Sequence, residues 1–223
     1  MLNYAVDPKI VAPLVPGGTE IDYENGKTYL SVVGFLFLDT RLLGVPIPLH
    51  RDFEEVNLRF YVRRKSADTW RRGVVFVREL VPRRAIATVA RVFYGENYVA
   101  LPMKHKIEHL DGDLTVEYSW RRGKNWDSLK MSATGESQTI PAGSHAEFIT
   151  EHYWGYTCAR NGCSEYRVEH SRWKIWSATQ FGLKADIAKL YGEQFIETLS
   201  APPASAFIAE GSPITVERRE ILL

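Results

Sequence analysis

The chain has 223 residues, 45% of them hydrophobic and 25% charged, with 28 Lys+Arg against 27 Asp+Glu. That mixture belongs to a globular protein and excludes a disordered, collagen-like or coiled-coil chain. The formal net charge of +1 lacks the basic excess of a dedicated nucleic-acid binder.

No apolar run reaches the roughly 18 residues of a membrane helix. The longest, Leu30 to Leu38, is interrupted by Ser31 and Gly34. The N-terminal stretch has no cationic start followed by a long apolar segment, so it does not read as a secretory signal. Two cysteines, Cys158 and Cys163, are too few for a disulfide framework. They read as reduced thiols of a cytoplasmic protein, although the turn between them, Ala159 to Gly162, would set them opposite each other.

In chain order, Lys27 to Leu38 is apolar on both faces and predicts a central strand. Glu55 to Arg63 alternates strictly: Val56, Leu58, Phe60 and Val62 share one face, and Glu55, Asn57, Arg59, Tyr61 and Arg63 the other. Less regular strands are predicted over Val74 to Val77, Tyr98 to His105, Leu114 to Trp120, Ser128 to Ala133, Arg167 to His170 and Ile214 to Arg219. Helical spacing appears in Pro82 to Phe93 and in Ala185 to Leu199, which Pro202-Pro203 follows. Ser144-His145-Ala146-Glu147 is a capping box that opens a short helix to Thr150. Glu24-Asn25-Gly26, Asp111-Gly112, Arg122-Gly123 and Asn161-Gly162 mark turns. The spacing of short strands and turns predicts one α+β, mainly antiparallel β domain over residues 1–223, a barrel or sandwich with few helices.

His105-Lys106-Ile107-Glu108-His109 spells H-x-x-E-H, the lettering of an inverted zinc-protease motif. That chemistry needs a helix. In a strand, residues 105 and 109 stand about 13 Å apart, too far to share a zinc ion, and Pro102 and Asp111-Gly112 frame an extended run. No metal site is expected there, and no cofactor is implied. G-x-S-x-G, P-loop and G-x-G-x-x-G motifs are missing, which removes the motif-bearing hydrolases, phosphoryl-transfer enzymes and dinucleotide enzymes. The basic doublets Arg71-Arg72, Arg83-Arg84 and Arg121-Arg122 read as solvated surface. The polar face of residues 55–63 carries two readings. Turned inward, Glu55, Asn57 and Arg59 would line a pocket; turned outward, the apolar face would form the core.

Phe53-Glu54-Glu55-Val56-Asn57-Leu58-Arg59-Phe60-Tyr61-Val62-Arg63 resembles the F-x-E-L-N-x-R-x-Y-V-R signature of the YqjF-like family of uncharacterised proteins, domain of unknown function two-zero-seven-one. Leu14-Val15-Pro16 with Thr19-Glu20-Ile21-Asp22, the run Phe148 to Tyr153, and His170 with Trp173 are similar to further family blocks, in family order. The family is grouped by fold with acetoacetate decarboxylase. The resemblance therefore implies a closed, cone-like β-barrel around a pocket, with Glu55 facing inward. It also implies a comparison with the decarboxylase's tandem lysines, of which the first forms a Schiff base. Desolvation beside a second cation keeps such an amine free to attack a keto group. The matching stretch here is Leu101-Pro102-Met103-Lys104, so Met103 stands in the nucleophile position and Lys104 in the second. The decarboxylase's arginine is also missing from Tyr4-Ala5-Val6-Asp7. Acetoacetate decarboxylation is not expected. The resemblance further implies a short segment before the first strand, so the chain reads as truncated at Met1.

Three functions stay open. One is a pocket for a small organic acid or carbonyl compound, with Asn57, Arg59 and Met103 as ligand-binding residues. Another is a Schiff-base lyase using Lys104 and Glu55 as catalytic residues, which requires a bulge or slip, because adjacent strand residues face opposite ways. The third is a structural or interaction protein without a ligand. Exposed edge strands favour a homo-oligomer; no nucleic acid or membrane partner is expected.

Overall fold

The long alternating runs become the long strands, because one register buries every apolar residue of a face at once. The structure is a computed structural model that describes residues 1–42, 45–46, 51–88, 95–159 and 162–222. Its strands are β1 (Leu2–Val6), β2 (Glu20–Ile21), β3 (Thr28–Phe37), β4 (Arg41–Leu42), β5 (Val45–Pro46), β6 (Phe53–Ser66), β7 (Thr69–Val81), β8 (Tyr98–Ala100), β9 (Met103–Leu110), β10 (Asp113–Arg122), β11 (Asn125–Thr134), β12 (Gln138–Thr139), β13 (Trp154–Ala159), β14 (Gly162–His170), β15 (Lys174–Ser177), β16 (Gln180–Lys184), β17 (Ser205–Ala209), β18 (Ile214–Val216) and β19 (Glu220–Leu222).

A 13-stranded sheet runs β12-β15-β17-β1-β3-β6-β7-β13-β14-β18, with β2, β8 and β19 attached at its flanks; a 4-stranded sheet runs β16-β11-β10-β9. Pairing is antiparallel except for β7 with β8 and with β13. The expected closed barrel is not formed. Among the described residues the path ends at β12 and β18, which pair only with β15 and β14. Enclosure comes instead from packing one sheet on the other. The apolar face of β6 (Val56, Leu58, Phe60 and Val62, all 0% exposed) meets Tyr118, Trp120, Leu129 and Met131 of the smaller sheet. Gly34 on β3 lies at a close approach of the sheets: a Cβ there would lie 2.6 Å from the Tyr118 ring, so glycine lets the sheets close.

The helices are short. Ser144 caps His145–Thr150 through its side chain, accepting from the Glu147 amide, while the Glu147 carboxylate accepts from the Gly143 amide. The run predicted as one helix over 185–199 is broken into Ile187–Leu190, the 3-10 turn Glu193–Phe195 and Ile196–Ser200. Gly192 lies between them at φ 115, a left-handed backbone that no helix contains. Residues 84–88 are helical, and 89–93 of the predicted helix lie outside the described residues. Tyr98 to His105, predicted as one strand, is split into β8 and β9 at Leu101-Pro102, where a proline cannot donate to a ladder. No helix among the described residues is long and apolar enough to cross a membrane. Cys158 and Cys163 are partners across the β13–β14 hairpin, and both are free thiols.

Candidate functional site

Strand β6 is central, flanked by β3 and β7, and both its faces are shielded from water. Its apolar face belongs to the core between the sheets. On the polar face Glu55 and Asn57 are each 1% exposed and Tyr61 is 0% exposed, with Arg59 half-buried. Phe148 and Ile149 of the helix His145–Thr150 cover the Arg59 end, and the segment Glu96 to Tyr98 covers the Glu55 end.

The register with β7 brings a second acid to this face. Asn57 is opposite Glu79, whereas Arg59 is opposite Phe76, because β7 carries one extra residue between these pairs. The bulge keeps Phe76 and Glu79 on the same side despite their three-residue spacing. Asn57 Nδ2 donates to Glu55 Oε1 at 3.0 Å, and the Tyr98 hydroxyl donates to Glu55 Oε2 at 3.1 Å. The Tyr98 hydroxyl is also bonded to Glu79. A third acid, Glu96, accepts from Thr157 Oγ1 at 2.6 Å and from the Tyr166 hydroxyl at 3.1 Å.

Burial dominates the electrostatics of these acids. It pushes the Glu55 and Glu96 carboxyls up from 4.5 to about 7, against hydrogen bonds that favour their charged forms. Glu79 is pushed well above the carboxylate range by burial, and then by the charges of Glu55 and Glu96. Three buried acids whose charges interact cannot all ionise near neutrality, so they share protons and titrate as a unit.

Among the described residues, three buried polar atoms on this face have no partner: Asn57 Oδ1, Arg59 Nε and Glu79 Oε2. Arg59 donates one long bond, 3.4 Å, from Nη2 to the Ile149 carbonyl, and among the described residues it forms no ion pair. Orphaned buried groups of this kind cost of the order of 1–3 kcal/mol each unless a water or ligand meets them.

The remaining predicted site residues lie elsewhere. Met103 is half-buried and packs on the core between the sheets. Lys104 is exposed, its ammonium 4.6 Å above the Trp126 ring. His105, on the Met103 side of β9, bonds Glu54 at 2.7 Å. Glu54 and Glu55 point to opposite faces of β6, so Glu55 is turned away from the face on which β9 packs. The structure therefore unites Glu55, Asn57 and Arg59 but does not bring Met103 or Lys104 to them. The H-x-x-E-H run is the extended strand β9, and among the described residues no cluster of three His, Cys, Asp or Glu is placed to hold a metal ion.

Glu79, Glu96, Tyr98 and Tyr166 escaped the sequence reading. The local signal was an acid, Glu79, that follows Arg78 and precedes the apolar residues Leu80 and Val81. A neighbouring network was missed too. Asp22 Oδ2 accepts from Arg72 Nε at 2.7 Å and pairs with His152 Nε2 at 3.1 Å, and burial lowers His152 to about 4, so the imidazole is neutral. One of the basic doublets thus ties down a buried acid rather than only facing water. Arg71 likewise joins Arg64 on the buried Glu165.

Comparison with known proteins agrees with this architecture. The chain is 29% identical over 181 residues to the uncharacterised protein YqjF of Bacillus subtilis (strain 168), covering 79% of this chain and 71% of that protein. Acetoacetate decarboxylase from Legionella pneumophila superposes with a TM-score of 0.60 at 13% identity, covering 100% of this chain and 83% of the other. The enduracididine biosynthesis enzyme MppR, solved with pyruvate, superposes with a TM-score of 0.60 at 13% identity, covering 96% of this chain and 86% of the other. At such identities the two structures speak for the fold alone. The model of DUF2071, an uncharacterised conserved protein family, matches residues 1–213, and the chain belongs to that family.

Proposed function

We propose that the polar face of β6 binds a small oxo acid and exchanges a proton with it near neutral pH. The ligand's carboxylate lies on Arg59, and its carbonyl or enol oxygen lies within reach of the protons held by Glu55 and Glu79. The observation that carries this reading is the set of unpartnered buried atoms on that face: a cationic donor at Arg59, an acceptor at Asn57 and a carboxyl oxygen at Glu79. A carboxyl titrating near 7 is matched to proton transfer at that pH. The pyruvate complex of MppR, a protein of the same fold, agrees with a small oxo acid. A cytoplasmic setting belongs to the same reading, since two cysteines, Cys158 and Cys163, are too few for a disulfide framework.

Amine catalysis is not part of the proposal, because the Lys104 ammonium stands over Trp126 on an exposed strand. Calorimetric titration with pyruvate tests the reading. Heat of binding is expected for the wild type and is lost in Arg59→Ala, with the circular dichroism spectrum unchanged. Borohydride added to the pyruvate complex is expected to leave the protein mass unaltered. A wild type that binds neither pyruvate nor acetoacetate overturns the proposal, and a reduced imine on Lys104 establishes the lyase reading in its place.

A further inference from the structure

A second constellation lies at the far end of the same cover helix. Glu24 and Lys27 close a tight turn, each amide donating to the other's carbonyl at 2.9–3.0 Å, around Asn25 and Gly26 at φ 50 and 76. Two positive φ values make this a mirror-image turn of the hairpin type, which suits Asn-Gly and holds Glu24 rigidly. His145 is the first residue of the helix that Ser144 caps. Ser205 opens β17, opposite Asn3 of β1. These three elements, remote in sequence, bring Glu24 Oε2 to 2.5 Å from His145 Nδ1 and His145 Nε2 to 3.0 Å from Ser205 Oγ. The Tyr29 ring packs on the imidazole with centroids 4.6 Å apart.

The directions of these hydrogen bonds are fixed by what each group can donate. A carboxylate only accepts, so the neutral imidazole of His145 has its proton on Nδ1 and offers the Nε2 lone pair to Ser205. Asn3 Nδ2 donates to Ser205 Oγ at 2.9 Å, which leaves the Ser205 proton to point at Nε2. Behind Asn3 the chain continues in one sense. Ser31 Oγ gives its only proton to Asn3 Oδ1 at 2.6 Å, so the Tyr61 hydroxyl donates to Ser31 at 2.6 Å. Asn3 and Ser31 are 0% exposed, so the amide that addresses Ser205 is locked from the buried side. Ser205, His145 and Glu24 line a cleft of about 470 Å³ together with Tyr29, Lys27 and Gly143. Lys27 is exposed and makes no ion pair among the described residues, so its ammonium is free to meet an oxyanion in the cleft.

We propose that Ser205, His145 and Glu24 form a nucleophile–base–orienter triad that hydrolyses small carboxylic esters in this cleft, independently of the Glu55 face. The roles follow from geometry: a hydroxyl within reach of a base whose other nitrogen is held by a carboxylate. Ser205 Oγ forms a bond to the ester carbonyl carbon while its proton passes to His145 Nε2 and the carbonyl electron pair moves onto oxygen. Collapse of that oxyanion breaks the bond to the alkoxide, which leaves with the proton from His145 as an alcohol. Water then attacks the acyl-serine by the same proton route, releasing the carboxylic acid and restoring Ser205.

The test is labelling with a fluorophosphonate, followed by intact mass and peptide mapping, alongside p-nitrophenyl acetate hydrolysis. The wild type is expected to gain one phosphonyl group on Ser205 and to release nitrophenol. Ser205→Ala is expected to lose the label, and His145→Gln to slow labelling and hydrolysis by about 100-fold or more, the usual worth of a positioned base. An unlabelled wild type, a label mapping to another residue, or hydrolysis that survives Ser205→Ala overturns the proposal. Mapping on the wild type decides the matter even if a variant fails to fold.

Discussion

Replacing Glu55 by glutamine separates the charge of the buried carboxyl from its shape. In the folded chain Glu55 titrates near 7, against 4.5 in its ordinary state, because burial disfavours the anion. Between those values the folded protein keeps a proton that the unfolded chain has released. The unfolded state therefore binds fewer protons, and stability falls as pH rises across the window. A shift of this size amounts to about 3 kcal/mol, present at pH 4 and lost by pH 8. Glu55→Gln has no proton to keep, so its contribution is flat. At pH 4 the variant is the weaker protein by about 1 kcal/mol: Asn57 and Tyr98 both donate to the carboxyl, and an amide offers only one acceptor oxygen. At pH 8 the order is reversed and the variant is the more stable by about 2 kcal/mol. His152 titrates in the same range, but its effect is common to both proteins and cancels in the difference, whereas Glu79 and Glu96 lose the Glu55 charge in the variant and shift the difference in the same direction. Urea unfolding followed by tryptophan fluorescence at intervals from pH 4 to 8 measures it. A stability difference independent of pH refutes the reasoning, as does a variant that becomes progressively weaker with rising pH. The second result would mean that Glu55 is ionised and held by Arg59.

His152 supplies the opposite slope. Burial lowers it from 6.5 to about 4, so below 6.5 the unfolded chain takes up a proton that the folded protein refuses. Stability contributed here is complete above pH 6.5 and drops by about 3 kcal/mol on acidification to pH 4; His152→Gln is expected to abolish that drop in the same urea titrations. Gly155→Ala places a Cβ 2.1 Å from the Tyr166 ring, which must move and release Glu96. A loss of about 3 kcal/mol or more is expected, as for an overpacked core. Gly182→Ala, with nothing within 4 Å of the added methyl, is expected to stay within about 0.5 kcal/mol of wild type in thermal melts.

Strand β6 was legible because alternation over nine residues admits only one assignment, and the helix at Ser144 because a capping box names its own boundary. Gly192 and Pro102 each break an element, yet helical spacing and β-propensity run on either side of them. A single residue at φ 115 costs the periodic pattern nothing, although it ends the helix. Barrel closure was not legible at all. It depends on whether the first and last strands of a sheet find each other, and nothing within a strand encodes its distant partner. The polar face posed a different difficulty. The two readings of Glu55, Asn57 and Arg59 supposed that one face of β6 must be wet, but a strand with a layer on each side has no wet face. Glu79 joined the site only through the bulge in β7, which a fixed two-residue period cannot anticipate.

Strand parity also argues against the lyase reading of Lys104. A side chain on a strand has two directions, and moving one position along exchanges them. With methionine at 103, the neighbouring lysine is not a near-substitute for the missing amine. Lys104 faces Trp126, while Met103 faces the core between the sheets. Restoring an amine by Met103→Lys would put a cation into an apolar layer that holds Val56, Leu58 and Phe60, on the side of β6 away from Glu55. An acid of β6 turned to that layer is Glu54, already engaged by His105. The polar groups that this chain does gather, Glu55, Glu79 and Arg59, lie behind the central strand. There a carboxyl can hold a proton at neutral pH without any lysine, and reactions that need only proton exchange and anion binding remain within its reach.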